Sequence, residues 1–314
     1  MSFSSQVKDE LEKVIPSTGH CRAAALATIL YCSGRLDRSR NTVTFLADRT
    51  AQARKSFTLL RRSLNIDCGL KQSKTGGSAS AKNHYQVVLP RGKTEELFEL
   101  LKITDRGNDG SFRDIQKTVA SALLERMCCR RTFLREMFIA CGSITDPSKE
   151  YHLEFDCSGR EQAEQVQGVL CGLGKSAGIV PRGKLFIVYL KDSADIVETL
   201  NLMGAPVSMM AMENQRILKD LRNTVNRRVN CETANIGKTV AASGKQIEEI
   251  RFLEERGILD TLPENLRQIA RLRMEYPDAP LRELGELAVP PIGKSGVNHR
   301  LRKLMETAEK YRSE

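Results

Sequence analysis

Two stretches decide the fold: Cys21 to Gly34, CRAAALATILYCSG, and Cys129 to Gly142, CRRTFLREMFIACG. They stand 108 positions apart throughout, with Cys21, Arg22, Leu26 and Gly34 matching Cys129, Arg130, Leu134 and Gly142. The positions between keep a mostly apolar or small character. Each stretch reads as a helix ending at its glycine. Ala23, Ala24, Ala25 and Ala27 in the first copy let a second helix approach closely. Two equivalent helices packed about a pseudo-twofold axis is the economical reading of such a repeat.

Working outward, the elements after each glycine come in the same order. After Gly34 come a polar turn at 37–41, a strand over 42–46 and a helix over 50–64. Strands near 67–71 and 85–89 follow, then a helix from Thr94. After Gly142, Asp146-Pro147 marks a turn and Tyr151 to Cys157 alternates as a strand. A helix over 160–173, a strand at 178–180, a turn at Arg182-Gly183, a strand over 184–190 and a helix over 193–202 complete the unit. Each half is αββαββα in outline. The expected boundaries are 1–103 for the first half and 112–206 for the second, joined by the polar, glycine-rich segment 104–111. Gly76 to Ser80 reads as the tip of a hairpin.

The last third changes character. A helix over 212–228, with Ile217, Leu218, Leu221 and Val225 on one stripe, serves as a linker helix within 207–230. The amide-rich run Asn223 to Asn235 reads either as a helix end with a turn or as a polar recognition surface. Residues 231–314 read as a helical domain. Helices are expected over 246–255, 263–274 and 281–287, and a final one runs from Gly296 to about Tyr311, capped by Ser295. In the last helix Val297, Leu301, Leu304 and Ala308 make the buried stripe. Two helices, a turn at Val289 to Gly293 and a basic second helix describe helix-turn-helix geometry over about 278–311. Arginine suits guanine edges or phosphates and asparagine suits adenine edges. Candidate DNA-binding residues are Arg282, Lys294, Ser295, Asn298, His299, Arg300, Arg302 and Lys303.

Bulk properties agree. The 314 residues carry 49 Lys and Arg against 39 Asp and Glu, a net charge of +10, the balance of a protein that meets a polyanion. Residues 71–93 hold Lys71, Lys74, Lys82, Arg91 and Lys93 without one acid. This secondary basic surface could track phosphates, stay solvated or dock a protein. No apolar stretch is long enough to span a membrane, and the first thirteen residues lack a signal-peptide layout. The nine cysteines are scattered, with no C-x-x-C pair. Zinc and disulfide frameworks are therefore both unexpected, and a reduced cytosol is the natural setting. Gly172 to Ser176, GLGKS, lacks the first glycine and the strand of a phosphate loop.

The duplicated unit resembles the LAGLIDADG homing-endonuclease fold, with Leu26 to Gly34 and Leu134 to Gly142 as its two motif copies. That resemblance implies two β-sheets forming a saddle, and one acidic metal ligand just before each motif glycine. Ser33 and Cys141 occupy those positions. Neither is a hard carboxylate, as Mg²⁺ in phosphodiester cleavage requires. An active endonuclease is therefore not expected: catalytic residues none, metal none, cofactors none.

Longer strings carry a closer resemblance. They are FSSQVK from Phe3, CCRRTFLR from Cys128, GSITDP from Gly142, YHLE from Tyr151, NTVNRRVNCETAN from Asn223 and SGVNHRLRK from Ser295. With these the chain resembles the WhiA family along nearly its whole length. The resemblance implies an α+β protein, a catalytically empty duplicated LAGLIDADG-like domain followed by an all-α, sigma region 4-like helix-turn-helix. It further implies a bacterial DNA-binding transcriptional regulator of cell division and chromosome segregation, active in sporulation in some relatives. Its partner would be double-stranded DNA, with RNA polymerase or another transcription factor as a second one. It would be cytoplasmic and nucleoid-associated, and a monomer is expected because the internal pseudo-symmetry removes the need to dimerise. The competing reading is a protein-interaction adaptor for RNA polymerase or division factors, whose DNA contact is secondary.

Overall fold

In a computed structural model, residues 2–75, 82–104, 115 and 118–313 are described; the side chains of residues 73–75, 82 and 83 lie outside this set. The expected hairpin tip at 76–80, and all of the expected linker 104–111 beyond Thr104, fall outside it as well. The chain divides into two compact units, Met1–Lys219 and Asp220–Glu314.

Unit 1 opens with α1 (Phe3–Glu12) and then runs the same series twice. The first pass is α2 (Gly19–Ser33), β1 (Gly34–Asp37), β2 (Thr42–Ala47), α3 (Thr50–Leu64), β3 (Gly69–Thr75), β4 (Lys82–Val88) and α4 (Thr94–Leu100). The second is α5 (Met127–Cys141), β5 (Gly142–Ile144), β6 (Leu153–Cys157), α6 (Arg160–Cys171), β7 (Gly178–Arg182), β8 (Leu185–Leu190) and α7 (Ser193–Met203). Each half builds an antiparallel four-stranded sheet, ordered β1-β2-β4-β3 and β5-β6-β8-β7. Strand alternation sets which face is buried. Val43, Phe45 and Ala47 on β2, and Leu153, Phe155 and Cys157 on β6, point into the core.

The helices α2 and α5 make the most extensive helix–helix contact among the described residues. Ala23, Ala24, Ala25 and Ala27 of α2 are all buried, and Ala24 clusters with Cys129 of α5. The strands β1 and β5, to which no residues were assigned from sequence, begin at the motif glycines. Gly34 and Gly142 are extended (φ −80° and −84°), not left-handed caps. Their glycine requirement comes from close approach. A Cβ on Gly34 would lie 2.3 Å from the Leu30 carbonyl oxygen, and one on Gly142 would lie 2.6 Å from Phe138 Cα.

Helix α8 (Pro206–Glu255) spans 50 residues. It is continuous where separate helices over 212–228 and 246–255 were expected, so the run Asn223–Asn235 is helical and not a turn. Residues 220–242 are exposed throughout, including Leu221 and Val225 of the apolar stripe. The first turn of α8 is held by α1. The Glu10 carboxylate accepts the backbone N–H groups of Val207 and Ser208 (2.8 and 3.0 Å) and the Ser208 hydroxyl (2.7 Å). This satisfies donors that a helix start otherwise leaves open. Glu10→Ala should cost about 1–2 kcal/mol, the range of a lost N-cap, read as a lower urea midpoint at unchanged slope.

Unit 2 folds the end of α8 with α9 (Glu264–Glu275), α10 (Leu281–Leu287) and α11 (Lys294–Arg312). Its core is Ile250, Leu253, Ile269, Leu284, Val297, Leu301, Leu304 and Ala308, and so contains the stripe read from sequence. Arg273 is 1% exposed, and its guanidinium donates to the carbonyls of Pro277 (3.2 Å) and Ala279 (2.8 Å), fixing the α9–α10 connection.

Candidate DNA-binding helix and a degenerate nuclease centre

The turn between α10 and α11 covers six residues. Gly285 lets it close: the Ile292 N–H donates to the Gly285 carbonyl (2.9 Å), and a Cβ on Gly285 would meet the Ile292 carbonyl oxygen at 2.2 Å. Helix α11 starts two residues earlier than expected. Gly293 occupies its N-cap and no side chain caps it, so Ser295 is not the cap but an exposed first-turn residue.

The core stripe of α11 turns the candidate residues outward. Lys294, Ser295, Asn298, His299, Arg302 and Lys303 are exposed, as is Arg282 on α10. On a 3.6-residue period Ser295, His299 and Arg302 lie opposite Val297, Leu301 and Leu304, with Asn298 beside them. Arg300 is half-buried on the flank. Arg282 pairs with Glu286 (3.1 Å) and Arg302 with Glu306 (2.9 Å), each an exposed i,i+4 pair worth only tenths of a kcal/mol. Both remain available to a stronger anion.

The secondary basic surface is less coherent. Lys71 and Arg91 are exposed, whereas Lys93 is held by Glu96 at 2.5 Å. The side chains of Lys74 and Lys82 lie outside the described residues. On the other sheet, the solvent-facing side carries Glu154, which takes up Arg182 (3.1 Å) and His152 (3.2 Å). Burial would raise the Glu154 carboxyl, but these two donors hold it below its usual range. The Lys175 of the Gly172–Ser176 loop is turned inward onto Glu198 and Asp195, a structural clamp.

At the C-terminal ends of α2 and α5, Ser33 and Cys141 line one cavity of about 330 Å³ with Asp48, Lys55, Glu136 and Asp156. They behave as a symmetric pair. The Ser33 hydroxyl donates to the Ile29 carbonyl (2.9 Å) and the Cys141 thiol to the Met137 carbonyl (3.3 Å), both four residues back. Each proton is spent on its own helix. The neighbouring Cys32 and burial push the Cys141 thiol well above its ordinary range, so it stays a neutral donor at pH 7. Asp156, an acid lining the same cavity, is itself raised by burial and by Glu154. Beside it lies an ion pair invisible in sequence. Lys55 Nζ of α3 stands 2.5 Å from Glu136 Oε1 of α5, at 2% and 1% side-chain exposure. Burial pulls the Lys55 ammonium below its usual range and Glu136 pulls it back.

A duplicated LAGLIDADG-like domain whose metal positions hold a hydroxyl and a neutral thiol, together with a helix-turn-helix domain, defines a class of degenerate-nuclease, helix-turn-helix proteins. The family models agree: the WhiA LAGLIDADG-like domain matches residues 130–222 and the WhiA C-terminal HTH domain matches residues 225–308. A probable cell division protein WhiA of Caldicellulosiruptor saccharolyticus is 42% identical, covering 99% of this chain and 96% of that one. One of Lachnoclostridium phytofermentans is 39% identical, covering 99% and 100%. The crystal structure of full-length DUF199/WhiA from Thermatoga maritima shares the fold (TM-score 0.57, 22% identity, 99% of both chains). The chain belongs to the WhiA family.

Proposed function

We propose that this protein is a sequence-specific DNA-binding regulator of transcription, acting in cell division and chromosome segregation and, in sporulating hosts, in sporulation. The observation that carries the reading is α11. One face is locked into the core of unit 2, and the opposite face presents Ser295, Asn298, His299, Arg302 and Lys303 to solvent near the helix N-terminus. A recognition helix offers base-reading groups in that arrangement. Double-stranded DNA is the partner, and the relatives' role in cell division supports the assignment. The protein acts as a monomer, since the repeat supplies its twofold partner internally. It works in the cytoplasm on the nucleoid, where the nine free cysteines would stay reduced.

It cuts no DNA. Cleavage would need a carboxylate cradle for Mg²⁺, and Ser33 and Cys141 supply none. Full chain incubated with supercoiled plasmid and Mg²⁺ should leave it uncut.

The test of recognition is a salt-defined titration of promoter DNA with the full chain. Arg300→Ala should cost about 1–3 kcal/mol on the preferred sequence if it reads a base, and relax the preference at that position. Equal weakening on every sequence makes Arg300 a phosphate contact. Unchanged binding by variants at Asn298, Arg300 and Lys303 together would remove α11 as the reader.

One observation favours a second role for unit 1 as a docking surface for RNA polymerase or another transcription factor. Glu154 stands beside Arg182 on the outer sheet face of the second half, so that face carries mixed charge and is less suited to a phosphate backbone than a uniformly basic one.

A further inference from the structure

The ends of α2 and α5 opposite the degenerate centre hold a second repeat-related pair. His20-Cys21 and Cys128-Cys129 occupy equivalent positions, 108 residues apart, in the first turns of the two helices. The α2–α5 packing brings all four ligand atoms within 4.8 Å of one another. His20 Nδ1 lies 3.2 Å from Cys129 Sγ, 3.3 Å from Cys21 Sγ and 3.9 Å from Cys128 Sγ, and the Cys21 and Cys129 sulfurs are 4.0 Å apart. From this geometry we infer a structural zinc site, a Cys₃His centre that staples the two halves of the duplicated domain across their pseudo-twofold axis.

The distances suit the ion. With Zn–S of about 2.3 Å and Zn–N of about 2.0–2.1 Å, a tetrahedron has S···S edges of about 3.8 Å and N···S edges of about 3.5 Å. The separations above scatter around those values, so small rotations of the side chains close the site. Three soft thiolates and an imidazole favour zinc over the hard ions that oxygen ligands select. Four protein ligands leave no open position, which is the signature of a structural and not a catalytic centre.

The helix ends add an independent reason. Neither Thr18 nor Arg126, the N-cap residues, makes a side-chain cap, and neither helix has an acid in its first turn. The positive ends of two helices thus converge on one point with no carboxylate in either first turn. Three thiolates around Zn²⁺ carry one net negative charge, and binding releases three thiol protons to solvent. Cys21 and Cys129 are buried, forming with Ala24 a small cluster apart from the main core. Cys128 is exposed, giving the ion a way in.

The test is metal content of the full chain purified without chelator, by inductively coupled plasma mass spectrometry. One zinc per chain is expected. Cys21→Ser and Cys129→Ser should lose it, Cys128→Ser should hold it more weakly, and Cys171→Ser, at an exposed cysteine outside the cluster, should keep it. Because the buried variants can misfold, cobalt reconstitution of the parent chain is a second readout. The visible ligand-field bands of tetrahedral cobalt with thiolate charge transfer are expected, at one equivalent. A parent chain that carries no metal and takes up neither zinc nor cobalt overturns the inference. So does an intact mass showing a Cys21–Cys129 disulfide in the freshly isolated protein.

Discussion

Lys55→Met is expected to destabilise unit 1 by about 3–5 kcal/mol, because it strands the Glu136 carboxylate in a buried site without its partner. The loss would be read as a drop in denaturant midpoint at pH 8. Adding Glu136→Leu should return stability to the parent level or above it, since a well-packed apolar pair of similar volume is often as good as a buried ion pair. Equal losses in the single and double variants would mean that Lys55 acts through its packing and its contact with the Leu11 carbonyl, 3.3 Å away, and not through the pair.

The second large effect belongs to unit 2. Leu301 is 1% exposed in the middle of the α11 stripe, against Leu284 and Ile269 in the same core. Leu301→Ala should cost about 2–5 kcal/mol through lost burial and the cavity left behind. In a core of this size that is a large share of the stability, and α11 would lose the support that aims its polar face. Limited proteolysis should open residues 220–314 first, and DNA affinity should fall on all sequences alike. The contrast with Arg300→Ala is the diagnostic feature: a contact variant changes which sequence is preferred, whereas a core variant weakens every sequence together. A Leu301→Ala chain in which proteolysis shows α11 opened, yet which keeps full affinity, would show that α11 does not carry binding.

Much of the candidate site was legible because the chemistry needed was local. The 3.6-residue period put Val297, Leu301, Leu304 and Ala308 inside, so Asn298, His299, Arg302 and Lys303 had to face out. The 108-residue offset located both motif copies, and the residue before each glycine showed the lost carboxylates directly. The structure begins this helix two residues before the expected Gly296. Ser295 has capping chemistry, but Gly293 lies where the turn, closed against Gly285, ends. The continuous α8 was missed because its asparagines resemble a helix stop. Nothing local shows that neighbouring helical turns on both sides carry the run through.

What the sequence by itself determined is therefore the repeat, the strand and helix periods, the absence of carboxylates at 33 and 141, and the family to which these strings belong. Each depends on residue identity at fixed spacing along the chain. What only the tertiary structure decided are the meetings between distant residues. Lys55 finds Glu136 across 81 positions, Glu10 caps a helix that begins at Pro206, and His20-Cys21 meets Cys128-Cys129. No C-x-x-C spacing announces that cluster, because its ligands are gathered by the pseudo-twofold packing of α2 and α5 and not by a loop. Spacing along a chain constrains only what a single element can present; which elements face each other is set by how their apolar surfaces pack.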